Sequence, residues 1–534
     1  MLSPEIIKAY NAVRTTPDKS VLCHAPFTNL NFEQNGNVTA CCYNRTHVLG
    51  TYPNDSLIDI WYSKQADELR SYIKYNNLDG GCSLCKKQLL SHNFKGMRAR
   101  GYDWSADSKL VQIGKSIKEG LTRGKWQPMP TSMEFELSNT CNLECVMCNG
   151  YFSSSIRKNR ENASPFTNPY DNAFVEQLIP FMPYLKDARF LGGEPFLIDI
   201  YYQIWDALVI HNPETRIHIT TNATVLNQRT KTLLEKLQCS IILSIDSIVK
   251  ETYERIRLNA KFDRVWENFE YFYEYTKRKG TEMSFAICPI TLNWHEMPGV
   301  VEYCNEKGIK VFFNTVILPQ EYSLINLPAA ELKRIVAFYH SFTLPNTTPT
   351  EQYNKQMFDD MVKLVVAWHE QTAIIENAIN TRDKYVRETI DAAVESGVIA
   401  PEHINNAVRD ILYEILTYAV SFPYNDDEAG KKQQEIDTQK LFSNLHKLFQ
   451  AYTPNEYLIA LFAAYKYLPL IHSGAYAVEG HQAKIDEVLN KIAGIENAQW
   501  IARDMNFAEP FKVLEHMNSH TAKELIEGMY QRYY

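Results

Sequence analysis

Long hydrophobic runs are missing from this chain. No apolar stretch approaches the roughly 20 residues that cross a bilayer, and the opening Met1-Leu2-Ser3-Pro4-Glu5 lacks a basic segment leading into an apolar core. Membrane insertion and export are not expected, and a cytoplasmic location is. A basic surplus is missing too: the formal net charge of -8 argues against a broad phosphate-neutralising surface, so nucleic acid is not an expected partner. Eleven cysteines in 534 residues are too few for a disulfide scaffold. Repeats at solenoid periods and long low-complexity tracts are also absent. What is present is a concentration of thiols. Cys23, Cys41, Cys42, Cys82, Cys85, Cys141, Cys145 and Cys148 all precede residue 149, and Cys239, Cys288 and Cys304 are scattered beyond it. In a reducing compartment that grouping reads as metal binding.

The length predicts two or three domains. From about residue 20 to 100 the chain opens with a predicted hairpin, Phe27 to Phe32 and Val38 to Cys42, turned at Asn35-Gly36 where positive φ is easily adopted. One helix is expected next, capped at Asp55 or Ser56, with Leu57, Ile60, Trp61, Leu69 and Ile73 at helical spacing. Asp79-Gly80-Gly81 predicts a turn just before the Cys82/Cys85 pair.

Between about 130 and 325 short apolar strands alternate with helical patterns. They are Met133 to Leu137, Ala188 to Leu191, Ile217 to Thr221, Ser240 to Ile245, Met283 to Pro289 and Lys310 to Val316. The alternation predicts a parallel α/β sheet with strands buried on both faces. Six such units suggest a partial (βα)6 TIM-like barrel whose chemistry sits at the C-terminal strand ends. Beyond Asn326-Leu327-Pro328 an all-α domain is expected. Leu332, Ile335, Val336, Tyr339 and Phe342 share one helical face, Pro345 and Pro349 mark a break, Asn425 to Gln434 reads as a polar loop, and Pro454 and Thr521 as helix starts. The expected division is residues 1–125, 126–327 and 328–534.

Three motif groups fall at predicted strand ends. Cys141, Cys145 and Cys148 follow the first strand as CxxxCxxC, a spacing that serves an iron-sulfur cluster or half of a zinc site. Gly192-Gly193-Glu194-Pro195 follows the second, where glycines allow close backbone approach and an acceptor can receive an ammonium group; taken alone it is also an ordinary tight turn. Thr220, Thr221 and Asn222, then Ser244 and Asp246, end the third and fourth. In a barrel all of these point to one mouth.

Together the cysteine triplet and the glycine-rich turn resemble the radical S-adenosylmethionine (SAM) superfamily over about residues 130 to 325. The resemblance implies that Cys141, Cys145 and Cys148 hold a [4Fe-4S] cluster whose fourth iron chelates SAM. It implies that Met147 packs beside the adenine, that Glu194 with Gly192, Gly193 and Pro195 takes the methionine amino group, and that Thr221, Asn222, Ser244 and Asp246 line the ribose and carboxylate. The implied reaction is reductive SAM cleavage to a 5'-deoxyadenosyl radical that abstracts hydrogen from substrate. A low-potential electron donor such as flavodoxin or ferredoxin is implied as partner.

Cys23, Gly36, Cys41 and the downstream Cys82/Cys85 pair resemble half of a SPASM domain, the twitch form. That resemblance implies an auxiliary [4Fe-4S] cluster on Cys23, Cys41, Cys82 and Cys85, with Cys42 a possible substitute for Cys41. The module precedes the barrel here, and no further cysteines follow Cys85 to build a second auxiliary cluster. A four-cysteine zinc knot uses the same ligand set. Among single residues, Cys288 could face the cavity as a hydrogen donor or be a small buried hydrophobe. Arg257 could pair with a carboxylate of cofactor or substrate, and Tyr322, Asn314 and Asn293 could touch substrate. Enzymes with such auxiliary modules commonly modify peptides, so a ribosomally made peptide is the first expected substrate. Dehydrogenation or epimerisation of a small molecule or sugar is the alternative enzyme, and a zinc-stabilised adaptor the non-catalytic one.

Overall fold

The computed structural model describes residues 2–395 apart from 17, 91, 95–96, 107–117 and 126, together with 397, 409 and 413. Nine strands form one sheet in the order β3-β2-β1-β4-β5-β6-β7-β8-β9. Their ranges are β1 Asn29–Glu33, β2 Asn37–Thr39, β3 Gly50–Thr51, β4 Ser132–Glu136, β5 Asp187–Phe190, β6 Arg216–Thr221, β7 Cys239–Ser244, β8 Met283–Ile287 and β9 Lys310–Phe313.

Strands β4 to β9 are parallel and neighbour one another in chain order. Because crossovers between parallel strands are right-handed, an order that never reverses puts every connecting helix on the same face. The sheet is therefore the wall of a partial barrel, with helices outside and strand interiors lining a lumen. All six strands coincide with segments expected from the sequence.

The N-terminal hairpin extends this wall. Gly36, at φ +88°, makes the turn, and the Asn37 N–H donates to Asn35 Oδ1 at 3.0 Å. A side chain on Gly36 would stand 2.3 Å from the Tyr52 carbonyl, which is why glycine is needed. β1 then runs parallel to β4, from Asn29 opposite Ser132 to Glu33 opposite Glu136. Phe32, Phe135 and Phe190 stack across β1, β4 and β5 at 5.3 and 4.9 Å between ring centres, and Tyr201 and Trp205 meet Phe190 edge-on. Such pairs contribute about 0.5–1.5 kcal/mol each beyond burial.

Two expectations need correction. The strands are not buried on both faces: Arg189, His218, Thr220, Ser240 and Ser244 point into the lumen half-exposed, while alternate residues such as Ile219, Ile241 and Leu243 are fully buried beneath helices. Among the described residues only the outer face packs on helices, and a barrel left incomplete keeps a polar interior. The helix expected after the hairpin is two, Leu57–Trp61 and Lys64–Lys74, because Ser63 adopts an extended backbone and its Oγ caps the second one through the Ala66 N–H. Ser56 caps the first as expected, whereas Asp55 instead accepts from the Thr51 N–H.

The chain divides into two compact units, Met1–His369 and Glu370–Tyr534. After the barrel come the helices Ala329–His340 and Pro349–Glu395, the latter starting at the expected proline. Leu332, Ile335 and Tyr339 are buried, and Phe342 lies past the first helix's end. The polar loop expected at 425–434 and the helix starts at Pro454 and Thr521 lie outside the described residues. No helix among the described residues is long and apolar enough to cross a membrane.

Candidate functional site

The cysteine triplet occupies the loop leaving β4, and its shape comes from neighbours on three sides. Ser153, Ser154 and Ser155 clasp it from below: Ser153 Oγ donates to the Leu143 carbonyl at 2.7 Å, Ser155 Oγ to the Cys141 carbonyl at 2.8 Å, and the Cys141 N–H donates to Ser154 Oγ at 3.1 Å. On a second side the Glu144 and Val146 N–H groups donate to the Leu258 and Ile256 carbonyls at 3.1 and 2.9 Å.

The glycine-rich turn closes the third side. Gly193 and Glu194 donate their N–H groups to the Ser138 and Thr140 carbonyls at 3.0 and 2.7 Å. A Cβ on Gly193 would lie 2.2 Å from the Thr140 carbonyl oxygen, and one on Gly192, at φ +105°, 2.5 Å from that of Ser138. The two glycines thus let the turn lie flush against the loop. Pro195 opens the short 3-10 turn that follows, buried.

Glu194 is fully buried at the end of this turn. Its Oε1 accepts from Thr221 Oγ1 at 2.7 Å and from the Phe196 N–H at 3.2 Å, and its Oε2 accepts from the Asn222 N–H at 2.7 Å. Burial raises its pKa to about 7 against those three donors. With a single donor on Oε2, one acceptor lobe there remains for an ammonium group. The Asn222 carboxamide donates to Asn142 Oδ1 at 3.2 Å and stands 3.9 Å from Cys141 Sγ, so the end of β6 is tied directly to the triplet.

Asp246 and Arg257 form a buried ion pair at 2.7 Å. The carboxylate expected as Arg257's partner is therefore supplied by the chain itself. Asp246 Oδ1 accepts from the Cys288 N–H at 2.8 Å, and Arg257 Nη1 reaches 3.7 Å from Cys145 Sγ. Ser244, one step earlier on the lumen face, is half-exposed. Met147, Cys288 and Tyr322 border a small apolar cluster of Val146, Ile256, Ile290 and Val316 at the same mouth. Asn293, a possible substrate contact from sequence, is instead fully buried and donates to the Asp246 and Cys288 carbonyls at 2.7 and 3.1 Å. Asn314 is exposed at the end of β9.

Burial pushes the Cys141 thiol to about 12 and Cys148 to about 11, and Cys145 also rises although Arg257 opposes it. Such thiols stay protonated at neutral pH unless a metal displaces the proton. Three soft ligands on one loop, with an amide and a guanidinium donor turned toward their sulfurs, suit an anionic iron-sulfur cluster held at three corners. Among the described residues no three His, Cys, Asp or Glu side chains close to the spacing of a single metal ion.

The second thiol group assembles from three segments. Cys23 precedes the helix Ala25–Thr28, Cys41 follows β2, and Cys82 and Cys85 flank the start of the helix Ser83–Leu90. Cys23 lies within electrostatic reach of Cys85 and Cys82, and Cys41 of Cys23. The main charges acting on Cys42 are those of Glu134, Arg98, Glu136 and Arg45. Burial raises all of these thiols, Cys82 to about 11. Asn44 Nδ2 donates to the Gly80 carbonyl at 2.8 Å and to Cys82 Sγ at 3.4 Å, and Gly81, at φ +80°, leaves room for it. Four half-buried thiols fit a closed cluster.

The clasp of Ser153, Ser154 and Ser155 and the Arg257 contact to Cys145 were missed from sequence. A run of three serines just beyond the triplet was the available signal for the first. Nothing in the sequence signalled the second, because the partners lie 112 residues apart.

Comparison with known proteins matches residues 135–304 to the Radical SAM superfamily and residues 23–86 to the SPASM iron-sulfur cluster-binding domain. Similar curated proteins include a probable GTP 3',8-cyclase of Methanocella arvoryzae, 24% identical over 203 residues that cover 38% of this chain and 59% of that protein. A GTP 3',8-cyclase of Clostridium botulinum is 23% identical over 183 residues, 34% of this chain and 51% of that one. The chain thus spans little more than half the length of the curated relatives it matches. Among solved structures, Streptococcus suis SuiB bound to S-adenosylmethionine is similar with a TM-score of 0.30 and 16% identity, covering 53% of this chain and 61% of SuiB. Residues 135–304 thus carry a Radical SAM superfamily domain, with a SPASM iron-sulfur cluster-binding domain ahead of it at 23–86, and the two domains imply [4Fe-4S] clusters and SAM as cofactors.

Proposed function

We propose that this chain is a radical SAM enzyme that cleaves SAM reductively and abstracts hydrogen from a residue of a peptide. In this reading residues 1–125 are the auxiliary-cluster module, 126–327 the catalytic barrel and 328–534 a helical domain. Cys141, Cys145 and Cys148 hold the cluster that binds SAM, and Cys23, Cys41, Cys82 and Cys85 hold the auxiliary one. The observation that carries the proposal is the flush contact between the Gly192–Gly193 turn and the cysteine loop, with Glu194 linking that turn to the end of β6.

When bound, cluster and SAM supply a carbon-centred radical able to abstract hydrogen. The chain's residues do the rest. Glu194 Oε2 would accept the ammonium group of SAM, and Asn222 and Arg257 donate toward the cysteine sulfurs. Met147 and the apolar cluster around Val316 exclude water from the mouth. Ser244, on the lumen face of β7, would line the ribose site.

The test is anaerobic incubation of the reconstituted protein with SAM and dithionite, reading 5'-deoxyadenosine. Its formation by the wild type, and its loss in Cys145→Ala, are expected. No product from protein with intact clusters in the presence of candidate substrates would overturn the reading. A second reading, cyclisation of a nucleotide, is favoured by the similarity to GTP 3',8-cyclases over about a third of the chain. GTP-dependent stimulation of 5'-deoxyadenosine release would select it.

A further inference from the structure

Among the described residues β9 is the last strand of the wall, and its outer edge is only half covered by them. Asn354, fully buried on the helix Pro349–Glu395, imitates a neighbouring strand: its Oδ1 accepts from the Val311 N–H and its Nδ2 donates to the Ile309 carbonyl, both at 2.8 Å. The Asn314 N–H bonds inward to the Ile287 carbonyl of β8 at 2.8 Å. By the alternation of a parallel ladder, the Val311 carbonyl and the Phe313 N–H and carbonyl therefore point outward. They meet no backbone group among the described residues.

A cleft of about 620 Å³ lies along this uncovered stretch, within the range of ligand sites. Phe94, Phe312, Phe313, Met357, Met361 and Trp368 line it. Its charged side chains include one lysine, Lys363, against one aspartate, Asp360, so it offers little to a polyphosphate. Toward the mouth the chain leaves β9 and continues into Val316, which packs in the apolar cluster with Met147 and Cys288, and then into Ile317 and Leu318, each 66% exposed. An open strand edge flanked by apolar pockets recognises extended backbone through main-chain hydrogen bonds and alternate side chains through the pockets.

We propose that the cleft beside β9 binds an extended segment of a peptide substrate, which pairs with the Val311–Phe313 backbone as an added strand and leads its next residues to the barrel mouth. The inference rests on the peptide reading of the function and gives it a location. A nucleotide has no backbone to offer this edge.

The test uses the full, anaerobically reconstituted chain without SAM, and a random library of twelve-residue peptides displayed for selection. Peptides recovered are then resynthesised with single N-methyl groups along the backbone and titrated by fluorescence anisotropy. N-methylation at alternate positions should weaken binding about tenfold or more, with intervening positions within about twofold, since a methylated amide cannot donate to the strand. Met361→Ala and Trp368→Ala should each weaken the unmodified peptide by a similar factor. Methylation tolerated at every position, binding unchanged in both variants, or a selection that yields no binding peptide would overturn the proposal. Modifying the peptide avoids a Phe313→Pro variant that would disturb the strand. SAM cleavage by the wild type is read separately, so failure of the catalytic reading and failure of the docking site give different results.

Discussion

Cys141, Cys145 and Cys148 stand on one loop of the chain, whereas Cys23, Cys41, Cys82 and Cys85 are gathered from three segments between residues 23 and 85. The first group sits on one stretch of backbone, clasped by the serines at 153–155 close in sequence and by the Gly193, Glu194, Ile256 and Leu258 backbone from farther along the chain. The second exists only once the hairpin, the Gly80-Gly81 turn and the helix Ser83–Leu90 have come together. A cluster on the first group would add chemistry to a loop already shaped; a cluster on the second would add folding free energy to its module. Three ligands leave a position open and four close it, and the wiring of the chain matches that division.

The largest expected effect separates the two groups outright. Cys145→Ala should abolish 5'-deoxyadenosine formation and lower iron from about eight to about four per chain, because the auxiliary site shares none of its ligands. Cys41→Ala should lose the other four irons and also lower the unfolding midpoint, which Cys145→Ala should do far less. Iron assay and thermal unfolding of the two variants check this. Equal destabilisation by both would break the distinction between a local site and an assembled one.

Next comes the glycine turn. Gly193→Ala sets a methyl 2.2 Å from a backbone oxygen that cannot swing away, so the turn must lift off the cysteine loop. SAM cleavage should fall by about 100-fold, at the upper end of what supporting groups around a metal contribute, with auxiliary iron retained. Gly299→Ala is the control: nothing lies within 4 Å of its added methyl, and in a helix alanine should be neutral or stabilising by up to about 1 kcal/mol. If both variants turn over equally, the flush contact is not what shapes the site.

Arg257→Ala should follow, with a loss of about 10-fold to 100-fold in cleavage. It should also destabilise by about 3–5 kcal/mol in urea unfolding, because Asp246 would be left buried without its partner. Asp246→Asn together with Arg257→Ala should recover part of the stability and none of the activity. Recovery of both would mean that Arg257 serves the fold alone and does nothing for Cys145.

How much of this was legible beforehand follows from range. The six barrel strands could be read because each is a short apolar run between turn residues, and the triplet because its ligands are neighbours in sequence. The hairpin was readable from Asn35-Gly36. Its parallel pairing with β4 was not, since Asn31 and Glu134 meet across roughly a hundred residues and nothing local encodes the register. The polar lumen was lost for a different reason. Arg216-Ile217-His218-Ile219-Thr220 and Cys239-Ser240-Ile241-Ile242-Leu243-Ser244 alternate visibly, but counting apolar residues hides an alternation whose polar half faces a cavity. The helix break at Ser63 was masked by side chains that keep helical spacing on both sides of it.

The smallest effect should come from Cys42→Ala, and it tests the assembled site most finely. Cys41 and Cys42 are adjacent, and sequence alone left either as the fourth ligand. The charge of Cys23 acts on Cys41, while the main charges acting on Cys42 are those of Glu134 and Glu136, opposed by Arg98 and Arg45. Cys42→Ala should therefore keep about eight irons and change the visible absorbance of the reconstituted protein by less than about a tenth, while Cys41→Ala bleaches the auxiliary half. The opposite pattern would exchange the two ligands and turn the hairpin end around, bringing the auxiliary cluster toward Glu134 on the lumen face of β4. Retention of all iron in both single variants, with loss only in the double, would mean that the site accepts either thiol and that the difference in their surroundings does not select between them.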